Sequence, residues 1–203
     1  MTRKSAWFFS VILHPILMPL IGLSIILFTG SFISFIPVQT KKIIFLIFTT
    51  GTFLLPLLMM LLFWFRGIIS DVQVMERTER VIPYAMTFIF YLFTKFLLLR
   101  VPVYHFLHSY MLGCLICLLL ILLLNIKWKI SSHMAGLGGL TALIMVISIK
   151  LQVNLMALLI ITILASGIVA TSRLILKAHT PVEVYSGFIL GFSTFVIVML
   201  FFG

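Results

Sequence analysis

Three short segments hold most of the polar chemistry of this chain. In TSRLILKAHTPVEVYSG, Ser172 and Arg173 precede His179, and Glu183 follows that histidine by four residues. In WKISSHMAG, Ser131 and Ser132 stand directly before His133. In DVQVMERTERVIPY, Arg77 and Arg80 fall three residues apart, interleaved with Glu76 and Glu79 and followed by Pro83. Arg77, Arg80 and Arg173 are permanent cations suited to a multiply charged anion. A neutral imidazole is a competent nucleophile, and a protonated one can deliver a proton. Fixed cations, two imidazoles and a carboxylate placed to orient one of them are the parts of a phosphoryl-transfer site, because that reaction rests on charge stabilisation and positioning. The histidines lack the cysteine or carboxylate cluster of a zinc site, so the arrangement requires no metal and implies no cofactor.

Each segment lies where an apolar run begins or ends. Of 203 residues, 63% are hydrophobic and 9% charged, against about 25% charged in a soluble domain. A fold so poor in charge has no means of covering its exterior in water, and this composition predicts an integral membrane protein. Seven apolar stretches meet or approach the length that a bilayer core of about 30 Å requires: about 6–29, 42–65, 83–99, 104–126, 134–149, 153–171 and 182–202. The expected fold is therefore all-α, a polytopic bundle of six or seven membrane helices, with residues 1–203 as a single transmembrane domain. The third and fifth stretches are the shortest. The positive start MTRK precedes an apolar run too long for a signal peptide, with no small-residue cleavage site after it. It reads as a retained helix kinked at His14-Pro15 and Pro19, with His14 as a packing histidine bonded to a neighbour. Cys114 and Cys117 lie inside an apolar run and read as small packing residues.

If all seven stretches cross, one end of the bundle carries the N-terminus and the loops 66–82, 127–133 and 172–181. Every acidic residue, namely Asp71, Glu76, Glu79 and Glu183, then falls at that end, together with all three chemistry-bearing segments. Lysines and arginines number nine at this end and five at the other. Setting aside Arg77, Arg80 and Arg173 as functional leaves six to five, which assigns no orientation under the positive-inside rule. The net charge of +10 comes from cations scattered singly and in pairs between apolar runs, a pattern of headgroup anchors and anion binding that excludes a nucleic-acid partner. Locally, Ser131 and Ser132 are N-cap residues for a helix opening at or just after His133. Thr180, Pro181 and Glu183 form a second helix start. Gly136, Gly138 and Gly139 permit close approach of another helix.

These residues resemble the type 2 phosphatidic acid phosphatase superfamily, the membrane branch of the vanadium-haloperoxidase-like fold, over about residues 66–195. Its third motif, Ser-Arg, five residues, His, three residues, Asp, is matched by Ser172-Arg173, His179 and Glu183, with Glu in place of Asp. Its Pro-Ser-Gly-His motif aligns with Ile130-Ser131-Ser132-His133 and keeps the Ser and the His. Its first motif, Lys, six residues, Arg-Pro, is represented by Arg80, with Pro83 displaced by two residues and Arg77 standing in for the missing lysine. The resemblance implies that His179 attacks phosphorus and forms a phosphohistidine, Glu183 orients its ring and His133 protonates the leaving oxygen. Arg173, Arg80, Arg77 and Ser131 would hold the phosphate. The implied protein is a metal-independent lipid phosphatase of the bacterial cytoplasmic membrane. Its substrate would be phosphatidic acid, phosphatidylglycerol phosphate, a polyprenyl diphosphate or a lipid A phosphate, arriving laterally from the bilayer. The alternatives are a lipid phosphotransferase and a non-catalytic lipid-phosphate binder or transporter on the same scaffold.

Overall fold

The computed structural model describes residues 1–71 and 76–203, with the backbone alone at Phe32. The middle of the DVQVMERTER segment, residues 72–75, lies outside the described residues. Everything described is helix, turn or coil, and no strand occurs among these residues. Among the described residues nine α-helices follow in order: α1 (Arg3–Ile12), α2 (Met18–Phe28), α3 (Val38–Phe48), α4 (Leu55–Phe65), α5 (Val81–Leu98), α6 (His105–Asn125), α7 (Ser132–Lys150), α8 (Met156–Ile175) and α9 (Pro181–Phe202). They make seven segments long and apolar enough to cross a membrane: Arg3–Phe28, Val38–Phe65, Thr78–Leu98, His105–Asn125, Ser132–Lys150, Met156–Ile175 and Pro181–Phe202. The two stretches that are shortest by hydropathy are 21 and 19 residues long once their polar first turns are counted. The all-helical, multi-pass architecture expected from hydropathy is therefore present.

Two of the seven segments are broken, and proline explains each break. α1 stops at Ile12, and a 3₁₀ turn over Pro15–Leu17 separates it from α2. Pro15 has no N–H to continue the ladder, and the His14 imidazole instead caps the turn, its Nδ1 accepting from the Ile16 N–H at 3.3 Å. Pro19, expected as a second kink, sits in the first turn of α2, where its absent N–H would have had no intrahelical partner. Between α3 and α4 the chain winds into a π-helical turn, Thr49–Leu54. It ends just before Pro56, which has no N–H for an i−4 carbonyl.

α7 is the axis of the bundle. Of its hydrophobic window 72% is buried, against 50% or less for every other segment. Small residues make this possible. A methyl group at Gly138 would collide with the Phe188 carbonyl of α9, and one at Gly191 with the Ala135 carbonyl of α7. The two backbones therefore touch where neither carries a side chain. Gly139 and Gly136 serve differently: the Phe195 ring lies over the first, and Met18 over the second. At the mouth of this contact the Ser131 N–H donates to the Glu183 carbonyl at 3.3 Å, so the first turns of α7 and α9 are joined.

Loop contacts sort into the two ends that seven crossings require. At one end Arg77 meets Asn125 and Ile126, the His179 ring meets the Lys129 carbonyl, and His133 meets Ser10. At the other, Lys95 donates to the His108 carbonyl at 2.7 Å, and Lys150 caps the end of α9 through the Leu200 and Gly203 carbonyls. Ser109 also reaches the Phe202 carbonyl there.

Candidate active site

The turn that carries His179 is built by the end of α8. Lys177 N–H returns to the Leu174 carbonyl and Ala178 N–H to the Arg173 carbonyl, at 3.0 and 3.1 Å. This pairing closes the helix when the residue after the cap is left-handed. Here that residue is Lys177, with φ of 52°, an uncommon conformation for a side-chain-bearing residue. The turn reverses the chain within four residues and leads directly into α9, whose first turn is a capping box. Glu183 N–H donates to the Thr180 hydroxyl at 3.4 Å, and Thr180 N–H donates to the Glu183 carboxylate at 3.0 Å. The Glu183 Oε2 that serves the box also accepts from His179 Nδ1 at 3.1 Å. The expected helix start and the expected carboxylate–imidazole pair are thus one structure.

His179 is 7% exposed. Its Nδ1 faces two acceptors, the Glu183 carboxylate and the Lys129 carbonyl, each at 3.1 Å. The ring proton therefore sits on Nδ1, and Nε2 carries the lone pair. Burial comes first, then the nearby charges of Arg80, Arg173 and Lys129; together they lower the imidazole pKa to about 3. These effects outweigh the single carboxylate, and His179 is neutral at ordinary pH. Burial, followed by the Arg80 charge, also holds the Lys129 ammonium below its usual value.

His133 lies in the first turn of α7 and is buried. Its Nε2 hydrogen-bonds to the Ser10 carbonyl of α1 at 3.1 Å. A carbonyl only accepts, so this nitrogen keeps its proton whether the ring is neutral or charged, and Nδ1 is the nitrogen that can gain and release one. Arg80 and Arg173 are also buried, 3% and 1% exposed. One Arg80 nitrogen reaches the Ile130 carbonyl at 3.4 Å, just before the histidine-bearing turn.

Two recesses open around these groups. The first, a cavity of about 150 Å³, is polar at one end, where Arg80, Arg173, His14, Ser132 and His133 line it. Its other end is apolar and aromatic, with Tyr91, Tyr110, Leu118, Leu140 and Phe195. Tyr91 lies eleven residues beyond Arg80 on the same helical run, a rise of about 16 Å. The cavity therefore extends from the loop end well into the membrane-spanning region. The second recess is an open notch, lined by Lys129, Lys177, His179, Thr180 and Glu183. His179 and His133 thus open to different recesses. Arg80 and Arg173 line the first and set the charge felt by His179 in the second.

Two expected phosphate ligands are placed elsewhere. Arg77 turns away from the cavity and donates to the carbonyls of Asn125 and Ile126, while the Asn125 amide returns a bond to the Arg77 carbonyl at 2.9 Å. It ties the loop before α5 to the end of α6. Ser131 is fully buried outside both recesses, and its hydroxyl meets no hydrogen-bond partner among the described residues. Glu79, interleaved with the arginines in the sequence, accepts from the Ser70 N–H and hydroxyl at 2.9 Å. Ser10 and the cavity-facing side of His14 lie outside the three expected segments. Their signal in the sequence is the His-Pro break placed eleven residues into the first span.

The protein is thus an all-helical, multi-pass membrane protein with a buried cationic and histidine-bearing site at one end of the bundle. Comparison with protein-family models, with curated proteins and with solved structures found no match to this chain.

Proposed function

We propose that this chain is an integral membrane lipid phosphatase working through a phosphohistidine. The observation that carries this reading is the state of His179. Its Nδ1 is committed to Glu183 and the Lys129 carbonyl, it is neutral, and its Nε2 lone pair lies in the field of two buried arginines. In the proposed reaction Nε2 attacks the phosphorus of a lipid phosphate. The bond from phosphorus to the lipid oxygen breaks as the N–P bond forms, and His133, which must enter this step as the imidazolium, supplies the proton on its Nδ1 to the departing oxygen. Glu183 stabilises the positive charge that grows on His179. Arg80 and Arg173 hold the non-bridging oxygens. Water then attacks the phosphohistidine, giving its proton to His133 and releasing inorganic phosphate and free His179.

The cavity supports a substrate with a long apolar chain, since a charged end leads into an aromatic and aliphatic interior. Phosphatidic acid, phosphatidylglycerol phosphate, polyprenyl diphosphates and lipid A phosphates share that chemistry. The resemblance to the type 2 phosphatidic acid phosphatases supports the same class, and with it a place in a bacterial cytoplasmic membrane. A non-catalytic lipid-phosphate binder is the second reading. It is favoured by one observation, that His179 and His133 open to different recesses, so the reaction requires substrate to reach from one recess to the other.

Phosphate release from a panel of phospholipids and polyprenyl diphosphates in detergent, with wild type and His179→Ala side by side, separates the two. Release by wild type and none by a folded His179→Ala is the expected result. No release from any lipid, with lipid-phosphate binding that survives His179→Ala, would replace the phosphatase by the binder.

A further inference from the structure

His14 comes from the N-terminal break, outside the three segments that carry the expected site, yet its imidazole lines the polar end of the cavity with Arg80, Arg173, Ser132 and His133. We propose that His14 is an anion-binding residue there, donating its Nε2–H to an oxygen of the bound phosphate beside the two guanidinium groups. The inference rests on the lipid-phosphate reading of the site, and it extends that site to the N-terminal segment.

The tautomer follows from geometry. Nδ1 accepts from the Ile16 N–H at 3.3 Å, so the ring proton resides on Nε2. Among the described residues no acceptor meets that N–H. Within a membrane-spanning segment a polar hydrogen without an acceptor is costly unless a ligand or water receives it. Capping the turn accounts for Nδ1 and leaves Nε2 unexplained. The ring is also held in place. It meets His133 edge to face with centroids 5.2 Å apart and planes at 81°. The adjoining turn rests on α7 where Gly136 has no side chain, against Met18 and Pro15. The Tyr110 hydroxyl pins the same segment from α6 by donating to the Pro19 carbonyl at 2.9 Å. A fixed neutral donor beside two cations can help satisfy a multiply charged anion without adding to the repulsion between the guanidinium groups.

Asparagine and glutamine separate the two nitrogens. Asn places a polar atom near the position of Nδ1 and is itself a good N-cap, so His14→Asn retains the turn and lacks the Nε2 donor. The longer His14→Gln reaches toward the Nε2 position. The experiment is a titration of the full-length protein in detergent with inorganic phosphate, read as the shift in thermal unfolding midpoint. Wild type is expected to be stabilised by phosphate. His14→Asn should keep the ligand-free midpoint and bind phosphate about tenfold more weakly, as loss of a hydrogen bond to a charged group requires. His14→Gln should recover part of the difference. Wild-type affinity in His14→Asn, or no stabilisation of wild type by phosphate, overturns the proposal. Should either variant fail to fold, the Nε2 nitrogen resonance of His14 in wild type decides the matter: it moves on adding phosphate or the proposal fails. Turnover does not enter these readouts. Phosphate binding that depends on His14 in a protein that hydrolyses no lipid would remove the phosphatase reading and leave this inference standing.

Discussion

At the scale of single residues the site is defined by where each imidazole keeps its proton. His179 is held neutral by burial and by three neighbouring cations, with its pKa near 3 in the folded protein against about 6.5 when unfolded. Between those values the unfolded chain binds the extra proton and the folded one does not, so stability is fully present above pH 6.5 and drains away as pH falls. From pH 7.5 to 4.5 the contribution amounts to up to about 3 kcal/mol. Thermal midpoints measured across this range should fall more steeply for wild type than for His179→Gln, which has nothing to protonate at that position. Parallel slopes would show that His179 is not the buried neutral group described here. The same shift alters the expected pH–rate profile. A bell with both limbs near neutrality follows from two ordinary histidines, whereas the limb set by His179 in the free protein lies near pH 3. The spacing of Ser172, Arg173, His179 and Glu183 was legible in the sequence because helix end, turn and helix start are all local. The bond from His133 to Ser10 was not, since 123 residues separate the partners and no pattern within either segment points to the other.

At the scale of elements, hydropathy located all seven segments because an apolar run long enough to cross a bilayer has few other uses. It did not show which helix is central. That follows from Gly138 and Gly191, whose missing side chains let α7 and α9 touch along their backbones and so bring the His133 and His179 turns together. Nor did it separate the roles of two arginines three residues apart. Arg80 directly precedes α5 and lines the cavity, whereas Arg77 caps the carbonyl end of α6, where a cation also meets the negative end of the helix dipole. Arg77→Ala is accordingly expected to cost about 1–3 kcal/mol of stability and to leave phosphate affinity within about twofold of wild type. Thermal melts and phosphate titrations on the purified variant read both quantities. A large loss of phosphate affinity at an unchanged midpoint would restore Arg77 to the anion site that the sequence suggested.

For the whole molecule, the fold sets a charged chamber at one end of a helical bundle and continues it inward between α5, α6 and α7 as an apolar track. A water-soluble phosphate ester needs only the chamber, while a lipid phosphate needs both. The two demands can be separated at Leu118, which lines the track on α6 and is only partly buried, so a larger ring there has room to project into the cavity. Leu118→Trp is expected to occupy space that a long chain would take while leaving Arg80, Arg173 and both site histidines in place. If the chain of the substrate lies in the track, kcat/KM for a long-chain lipid phosphate should drop about tenfold or more, the value of one to two buried methylenes and their packing. A short-chain phosphate should be hydrolysed as by wild type. Equal losses for both substrates would mean that the substitution disturbs the chamber itself. Equal retention would place the lipid chain outside the bundle, in the bilayer, with only its phosphate reaching between the helices.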